Sequence, residues 1–173
     1  MSHVPAPRIL EGGGDRLPAG ARVAVAVARW NEPVTRRLLE GAMHALAAAG
    51  LPASAVDVAW VPGSFELPFA ADRFAATGRY AGVICLGAII KGETSHDHHI
   101  ANAAAAGIER VARHRGLPVI FGVLTCDTLA QAMARAGGDA ADSFAGNKGA
   151  ESAAAVVDMI AVVAAITSRG GAS

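Results

Sequence analysis

The chain has 173 residues, of which 53% are hydrophobic, enough for one domain to bury a core without disulfides or metals. Its 15 basic and 15 acidic residues give a formal net charge of zero, and the basic residues form no run. This balance argues against a nucleic-acid footprint and against a polybasic patch for a membrane surface. Cys85 and Cys126 lie in apolar stretches, so we expect reduced core thiols of a cytosolic protein.

The first 20 residues are rich in Pro and Gly and are expected to form an N-terminal arm without a core of its own. They lack the basic and apolar regions of a signal peptide, and we expect no apolar stretch of transmembrane length. We therefore expect a soluble, cytoplasmic protein with an arm at 1–20, one domain at 21–168 and a C-terminal tail at 169–173.

Strand-like and helical stretches alternate along the domain. In chain order the predicted elements are a strand at 22–28, a helix at 33–49, a strand at 56–61, a helix that ends at 76, a strand at 80–90, a helix at 95–115, a strand at 119–126, and helices at 128–136 and 150–168. Pro33 suits a first helical turn, and Gly50 and Gly78 suit helix stops. Thr94 with Asp97 three residues later resembles a capping box for the third helix.

The four strands are apolar on both faces, which is typical of a buried parallel sheet with helices on each side. We therefore predict an α/β fold, a three-layer α/β/α sandwich with a four-stranded parallel sheet. In such folds ligands bind just beyond the carboxyl ends of the strands. The less common residue types of this alanine-rich chain gather at these four junctions: 30–31, 62–66, 87–96 and 125–128.

The third junction has the richest chemistry. Gly87 and Gly92, after a strand and before a helix, imitate a P-loop, but Glu93 stands where a P-loop needs Lys, so we reject a nucleoside triphosphate site. The free N–H groups at the helix start, with the Thr94 and Ser95 hydroxyls, suit a single phosphate group. A plain capped helix explains the local sequence equally well.

Histidines at positions 96, 98 and 99 invite a zinc interpretation. We expect no metal, because no further Cys or His lies at ligand spacing. His96 lies in the first turn of the helix, beside the candidate anion site, where a group that titrates near neutral pH can carry protons. The alternative is a histidine with no chemical role.

Two further side chains at the junctions have open alternatives. Trp30 ends a buried strand, where it could stack on a flat heterocycle or simply pack at the rim. Glu66 lies among apolar residues at a helix start, where it could accept hydrogen bonds from a polyol or merely complement the helix dipole.

Taken together, the junctions resemble those of the lumazine synthases, which catalyse the penultimate step of riboflavin biosynthesis. Five motifs carry the resemblance in order and spacing: ARWNE (28–32), VPGSFELP (61–68), LGAIIKGETSHDHH (86–99), PVIFGVLTCDTLAQAMARAG (118–137) and AGNKGAESA (145–153). The resemblance covers roughly residues 20–168. It implies a flavodoxin-like fold and the condensation of 5-amino-6-(D-ribitylamino)uracil with 3,4-dihydroxy-2-butanone 4-phosphate, without a cofactor or a metal.

The resemblance also implies roles for individual positions. The substrate-binding residues expected from one subunit are Trp30, Asn31, Ser64, Phe65, Glu66, Ala88, Ile89, Ile90, Glu93 and Thr94. Within this set, Trp30 would stack on the pyrimidine ring, and Glu66 would accept from the ribityl hydroxyls. Glu93 and Thr94 match the phosphate pocket, and His96 matches the histidine credited with proton transfer.

Other matched positions belong to groups that relatives contribute from a neighbouring subunit. Phe121, Arg135 and Lys148 are of this kind, with Arg135 binding the phosphate, and Glu151 matches a carboxylate that pairs with this arginine. The resemblance thus implies a homo-oligomer whose partners are small-molecule substrates and copies of itself.

We favour a pentamer over a decamer or a sixty-subunit shell. The link at residues 137–145 is longer than in relatives that form shells, and residues 8–10 of the arm could add a short strand to an adjacent subunit. A flavin-binding or structural shell protein of the same fold without catalysis is the alternative. The presence of both the phosphate arginine and the histidine favours the enzyme.

Overall fold

Four strands and five helices alternate along residues 17–137 and 144–168, the part of the chain that our computed structural model describes. The strands are β1 (Val23–Ala28), β2 (Val56–Val61), β3 (Gly82–Ile90) and β4 (Val119–Cys126). The helices are α1 (Glu32–Ala48), α2 (Leu67–Ala76), α3 (His96–Arg115), α4 (Leu129–Arg135) and α5 (Lys148–Thr167). Short 3₁₀ turns occupy Ala53–Ala55 and Ser64–Glu66. The predicted arm up to residue 16, most of the link (138–143) and the tail (169–173) lie outside the described residues.

The four strands form one parallel sheet in the order β2-β1-β3-β4. All six residues of β1 are buried, as the apolar run predicts for a central strand. The prediction that all four strands are buried on both faces is wrong for the edge strands β2 and β4. Val58 on β2 and Phe121 on β4 are exposed, with 39% and 43% of their surface accessible, because an edge strand has a neighbour on one side only.

The helices cover both faces of the sheet. One core joins β1 and β3 to α1, α4 and α5 through residues such as Val25, Leu38 and Val156. The other core joins the opposite face to α2 and α3 through residues such as Leu67 and Ile108. The predicted three-layer α/β/α sandwich with a four-stranded parallel, flavodoxin-like sheet is confirmed.

Helices α1, α3, α4 and α5 begin within two residues of their predicted starts, and the caps of α3 and α5 differ from the sequence prediction. The capping box of Thr94 and Asp97 is wrong: Ser95 is the cap residue of α3, and Thr94 Oγ1 accepts a weak hydrogen bond of 3.4 Å from the backbone N–H of His96. The Asp97 carboxylate lies 3.6 Å from Nε2 of His98 and does not reach back to cap the helix. Helix α5 starts at Lys148, before the predicted position, because the side chain of Asn147 caps it.

Helix α5 meets the length and composition of a membrane-spanning helix, contrary to the expectation that no stretch reaches this length. This is a weak indication, since the core helix of a soluble protein has the same properties. In this fold α5 packs on α1 and the sheet, and it buries Val156, Val157 and Ile160.

A polar cluster ties together the amino ends of β1, β2 and β3. The Tyr80 hydroxyl donates to Asp57 Oδ2 at 2.6 Å, and the Arg22 guanidinium donates to the same oxygen at 3.0 Å. These hydrogen bonds, Tyr80 first, hold the pKa of Asp57 below its ordinary value. The cluster lies at the end of the sheet opposite to the junctions that the sequence singles out, which makes it a structural clamp.

Candidate active site

A crevice opens where the chain leaves β1 and β3, the two central strands. After β1 the chain enters α1 on one face of the sheet, and after β3 it enters α3 on the other. Such a switch point is the usual ligand site of open parallel sheets. Asn31 spans it: its backbone is left-handed (φ 61°), and its Nδ2 donates to the carbonyl oxygen of Ala88 at 2.8 Å. The Asn31 amide therefore sets the width of the crevice.

The crevice widens into a cleft of about 570 Å³ over the ends of β1, β2 and β3. The predicted site residues that line it are Trp30, Ser64, Phe65, Glu66, Ala88, Ile89, Ile90, Thr94 and His96. Asn31 and Glu93, also predicted, do not line this cleft: Asn31 is engaged with Ala88, and Glu93 faces solvent. The volume lies within the usual range for clefts that bind small molecules.

Two aromatic side chains flank the cleft. Trp30 and Phe65 expose 74% and 57% of their surfaces, although both are large and apolar. Exposed aromatics at a concave site are suited to stacking on a flat ring, which would cover them from water.

The turn Ser64–Glu66 provides the polar wall of the cleft. The backbone N–H of Gly63 donates to Glu66 Oε2 at 2.9 Å, which orients the carboxylate and leaves it further acceptor capacity. Ser64 is buried against β3, where a Cβ at position 87 would lie 2.6 Å from Ser64 Oγ. Glycine at position 87 therefore lets the turn approach the sheet closely, and the Glu66 carboxylate is held where a polyol could donate to it.

The start of α3 forms the third wall. Thr94 and His96 line the cleft at the N-terminus of this 20-residue helix. The N–H of His96 donates weakly to Thr94 Oγ1, and that of His98 donates to the Ser95 carbonyl oxygen. An anion bound there would be stabilised mainly by the helix dipole. His96 is exposed to the cleft, so the anion site and a possible proton carrier share one volume.

The remaining predicted residues lie in a second cleft, of about 400 Å³, beside the edge strand β4. This cleft is lined by Phe121, Arg135, Lys148 and Glu151. A single chain therefore divides the predicted site into two parts. We call the first cleft the acceptor half-site and the second the donor half-site.

The predicted ion pair between Glu151 and Arg135 is wrong. Glu151 pairs with Lys148, whose Nζ lies 2.8 and 2.6 Å from the two carboxylate oxygens. These two residues are three positions apart on α5 and meet without any tertiary constraint. Arg135 is exposed and makes no ion pair with any residue in 17–137 or 144–168. Its charge is thus available to a ligand.

Some residues of the two half-sites escaped the sequence interpretation. Asp97 and Ile100 line the acceptor half-site, and Ile100 could have been inferred because it lies one helical turn after His96. Asn147 is buried beside the donor half-site, with 1% of its surface exposed. The only local signal for it is that Asn commonly precedes a helix.

Burial raises the pKa of the Cys85 thiol to about 12, so this thiol stays protonated near neutral pH and is a poor nucleophile. In residues 17–137 and 144–168, no three His, Cys, Asp or Glu side chains lie close enough to hold a metal ion.

Comparison with protein families supports the resemblance that the motifs indicate. Residues 20–164 match the family model described as 6,7-dimethyl-8-ribityllumazine synthase. The match covers most of the chain and spans every residue of both half-sites. The chain therefore belongs to the 6,7-dimethyl-8-ribityllumazine synthase family.

Proposed function

We propose that this protein condenses 5-amino-6-(D-ribitylamino)uracil with 3,4-dihydroxy-2-butanone 4-phosphate to 6,7-dimethyl-8-ribityllumazine, the penultimate step of riboflavin biosynthesis. The observation that carries the proposal is the acceptor half-site. One cleft combines an exposed Trp30, the Glu66 carboxylate and the start of α3 with His96. These groups fit a flat ring, a polyol and a phosphate, which are the three parts of the two substrates.

The reaction needs positioning and proton transfer. The 5-amino group attacks the ketone, and loss of water gives a Schiff base. Phosphate then leaves by elimination, the resulting enol becomes a ketone, and the ribitylamine nitrogen closes the ring with loss of a second water. Electrons and atoms balance without an oxidant, and each step is a proton transfer, a dehydration or an elimination.

Each group in the cleft has one task in this scheme. Trp30 covers the pyrimidine ring, the backbone from Ala88 to Ile90 meets the uracil edge, and Glu66 accepts from ribityl hydroxyls. The start of α3 binds the phosphate, and His96 carries protons to and from the reacting nitrogen and oxygen atoms.

We further propose a cytoplasmic homo-oligomer, with a pentamer as the favoured form. The catalytic domain is 21–168, between the arm (1–20) and the tail (169–173). The donor half-site beside β4 would complete the acceptor half-site of the next subunit, and such heterologous contacts close into rings. In one chain Phe121, Lys148 and Glu151 line a different cleft from Trp30, Glu66 and His96, which supports this arrangement.

The activity is tested by mixing the purified protein with both substrates and following the fluorescence of the lumazine. Appearance of fluorescence at a rate above the spontaneous reaction supports the enzyme. Tight binding of the ribityl-aminouracil without turnover would instead identify a binding or shell protein of the same fold.

Replacing Trp30 by Ala should weaken binding of the ribityl-aminouracil far more than that of the butanone phosphate. The reason is that the indole has 74% of its surface free for a ring to cover, whereas the phosphate end of the cleft lies at α3. Initial rates at varied concentrations of each substrate give the two KM values. Phe69→Ala is the control for the loss of another exposed aromatic side chain. Equal increases in both values would assign Trp30 a structural role at the rim.

Replacing His96 by Ala should lower kcat by about 10²-fold or less, toward the lower end of the range for acid–base residues. The modest effect is expected because an amine and a ketone condense readily once they are positioned. His114→Ala, which removes an exposed histidine at the far end of α3, is the matched control. A kcat of His96→Ala within twofold of the wild type contradicts the role.

Mixed assemblies test whether the site is shared. His96→Ala disables the acceptor half-site, and Arg135→Ala disables the donor half-site. If neighbouring subunits share each site, rings formed from both variants contain about one intact site in four, by random association around the ring. Activity should therefore rise on mixing, at a butanone phosphate concentration below its KM. Activity that stays at the mean of the two variants, or an active monomer in light scattering, would disprove the shared site.

A further inference from the structure

The side chain of Asn147 joins three helices. Its Nδ2 donates to the carbonyl oxygens of Arg37 on α1 at 2.9 Å and of Ala136, just after α4, at 2.7 Å. Its Oδ1 accepts from the backbone N–H groups of Gly149 at 2.8 Å and Ala150 at 3.1 Å, at the start of α5. Both N–H groups and both lone pairs of the amide are used, so only an amide satisfies all four partners.

Two glycines permit the close packing of α1 and α5 around this amide. A Cβ at position 41 on α1 would lie 2.3 Å from Oδ1 of Asn147, and a Cβ at position 149 would lie 1.9 Å from the carbonyl oxygen of Leu38. The start of α5 therefore contacts α1 more closely than any side chain would permit. Because Asn147 is only 1% exposed, its amide has no water or other group to bind in place of these four partners.

The residues next to the partners of this amide belong to the donor half-site. Arg135 directly precedes Ala136, whose carbonyl Asn147 binds, and Lys148 directly follows Asn147. Glu151, the partner of Lys148, lies in the same first turn of α5. The Asn147 amide thus sets the distance between the Arg135 guanidinium and the Lys148–Glu151 pair.

We propose that Asn147 is a positioning residue, which holds Arg135 and Lys148 in one geometry for an anionic substrate. The inference rests on the proposed function of the donor half-site, and it assigns the amide a part in phosphate binding beyond the capping of α5. A purely structural amide would affect stability alone. A positioning amide affects the KM of the phosphate-bearing substrate as well.

Asn147→Ser and Asn147→Asp separate these roles. Both substituents keep an oxygen that can cap α5, but neither keeps the NH₂ group that donates to the carbonyl oxygens of both Arg37 and Ala136. Tyr80→Phe is the control, because it removes a hydrogen bond to Asp57 at the opposite end of the sheet. For every protein we would measure the thermal midpoint, the assembly size, kcat, both KM values and the affinity for inorganic phosphate by calorimetry.

We expect all three variants to lose some thermal stability and to keep the assembly size. In the Asn147 variants, the KM for the butanone phosphate should rise about tenfold and the affinity for inorganic phosphate should fall in parallel, as when one charge-assisted hydrogen bond is lost. The KM for the ribityl-aminouracil should stay within about twofold, and Tyr80→Phe should change neither KM.

The inference is overturned if both KM values of the Asn147 variants stay unchanged or rise equally, or if both variants are unfolded at the assay temperature. If the wild-type protein forms no lumazine, the proposed function fails, and the calorimetric comparison decides the inference alone. Phosphate affinity that is tenfold weaker in the variants then supports it, and equal affinity overturns it.

Discussion

Replacing Arg135 by Ala should raise the KM for the butanone phosphate roughly 10- to 150-fold, which corresponds to about 1.5–3 kcal/mol for a hydrogen bond to a charged group. Arg135 is the exposed cation of the donor half-site that forms no ion pair with a described residue, whereas the charge of Lys148 is already paired with Glu151. The KM for the ribityl-aminouracil should stay within about twofold, because that substrate carries no phosphate for the guanidinium to bind.

Arg110→Ala provides the control for the loss of one positive charge. Arg110 is exposed on α3 and lines neither half-site, so its removal changes the net charge equally without touching the proposed phosphate contact. Initial rates at varied concentrations of each substrate measure the effect. The assignment is wrong if butanone phosphate saturates Arg135→Ala at the wild-type concentration, or if Arg110→Ala shows the same rise.

Replacing Gly149 by Ala should destabilise the fold by about 3 kcal/mol, at the upper end of what overpacking costs. Alanine favours a helix over glycine by about 1 kcal/mol, so local propensity alone predicts a gain. The contact with α1 turns this expected gain in stability into a loss. The new Cβ would lie 1.9 Å from the Leu38 carbonyl oxygen and 2.6 Å from its carbonyl carbon, and these are backbone atoms of a buried helix that cannot rotate away.

The free energy of unfolding from urea titrations at a fixed protein concentration measures this effect. Gly92→Ala is the matched control, because a Cβ there meets no atom within 4 Å, and we expect a change within about 0.5 kcal/mol. Gly149→Ala with wild-type stability would show that α1 and α5 are not in the close contact described here. If Gly149→Ala folds, it should bind the butanone phosphate weakly, since Lys148 and Glu151 move with the start of α5.

The sequence predicts the acceptor half-site well because its residues follow from local patterns. Apolar runs give the strands, and β2 and β4 are confirmed at both ends. Parallel strands bring their carboxyl ends to one edge, so the less common residues after β1, β2 and β3 had to meet there. Trp30, Glu66 and His96 accordingly line one cleft.

Other features depend on which helices and strands become neighbours, and the local sequence does not specify those neighbours. The apolar stretch of β4 resembles that of β1, yet only the strand order leaves Phe121 exposed at an edge. The family resemblance implies Arg135 as the partner of Glu151, but the structure pairs Glu151 with Lys148. Lys148 lies three positions earlier on the same helix, so the two side chains meet without any packing between helices.

By itself, the sequence determined the alternation of strands and helices, the family and most residues of the acceptor half-site. Only the tertiary structure decided that the predicted site residues fall into two clefts, and that the Asn147 amide links α1, α4 and α5. The physical reason is the range of the interactions. Hydrophobic periodicity and helix capping act over a few residues, whereas the bond from Asn147 to Arg37 spans 110 positions and forms only when the helices pack.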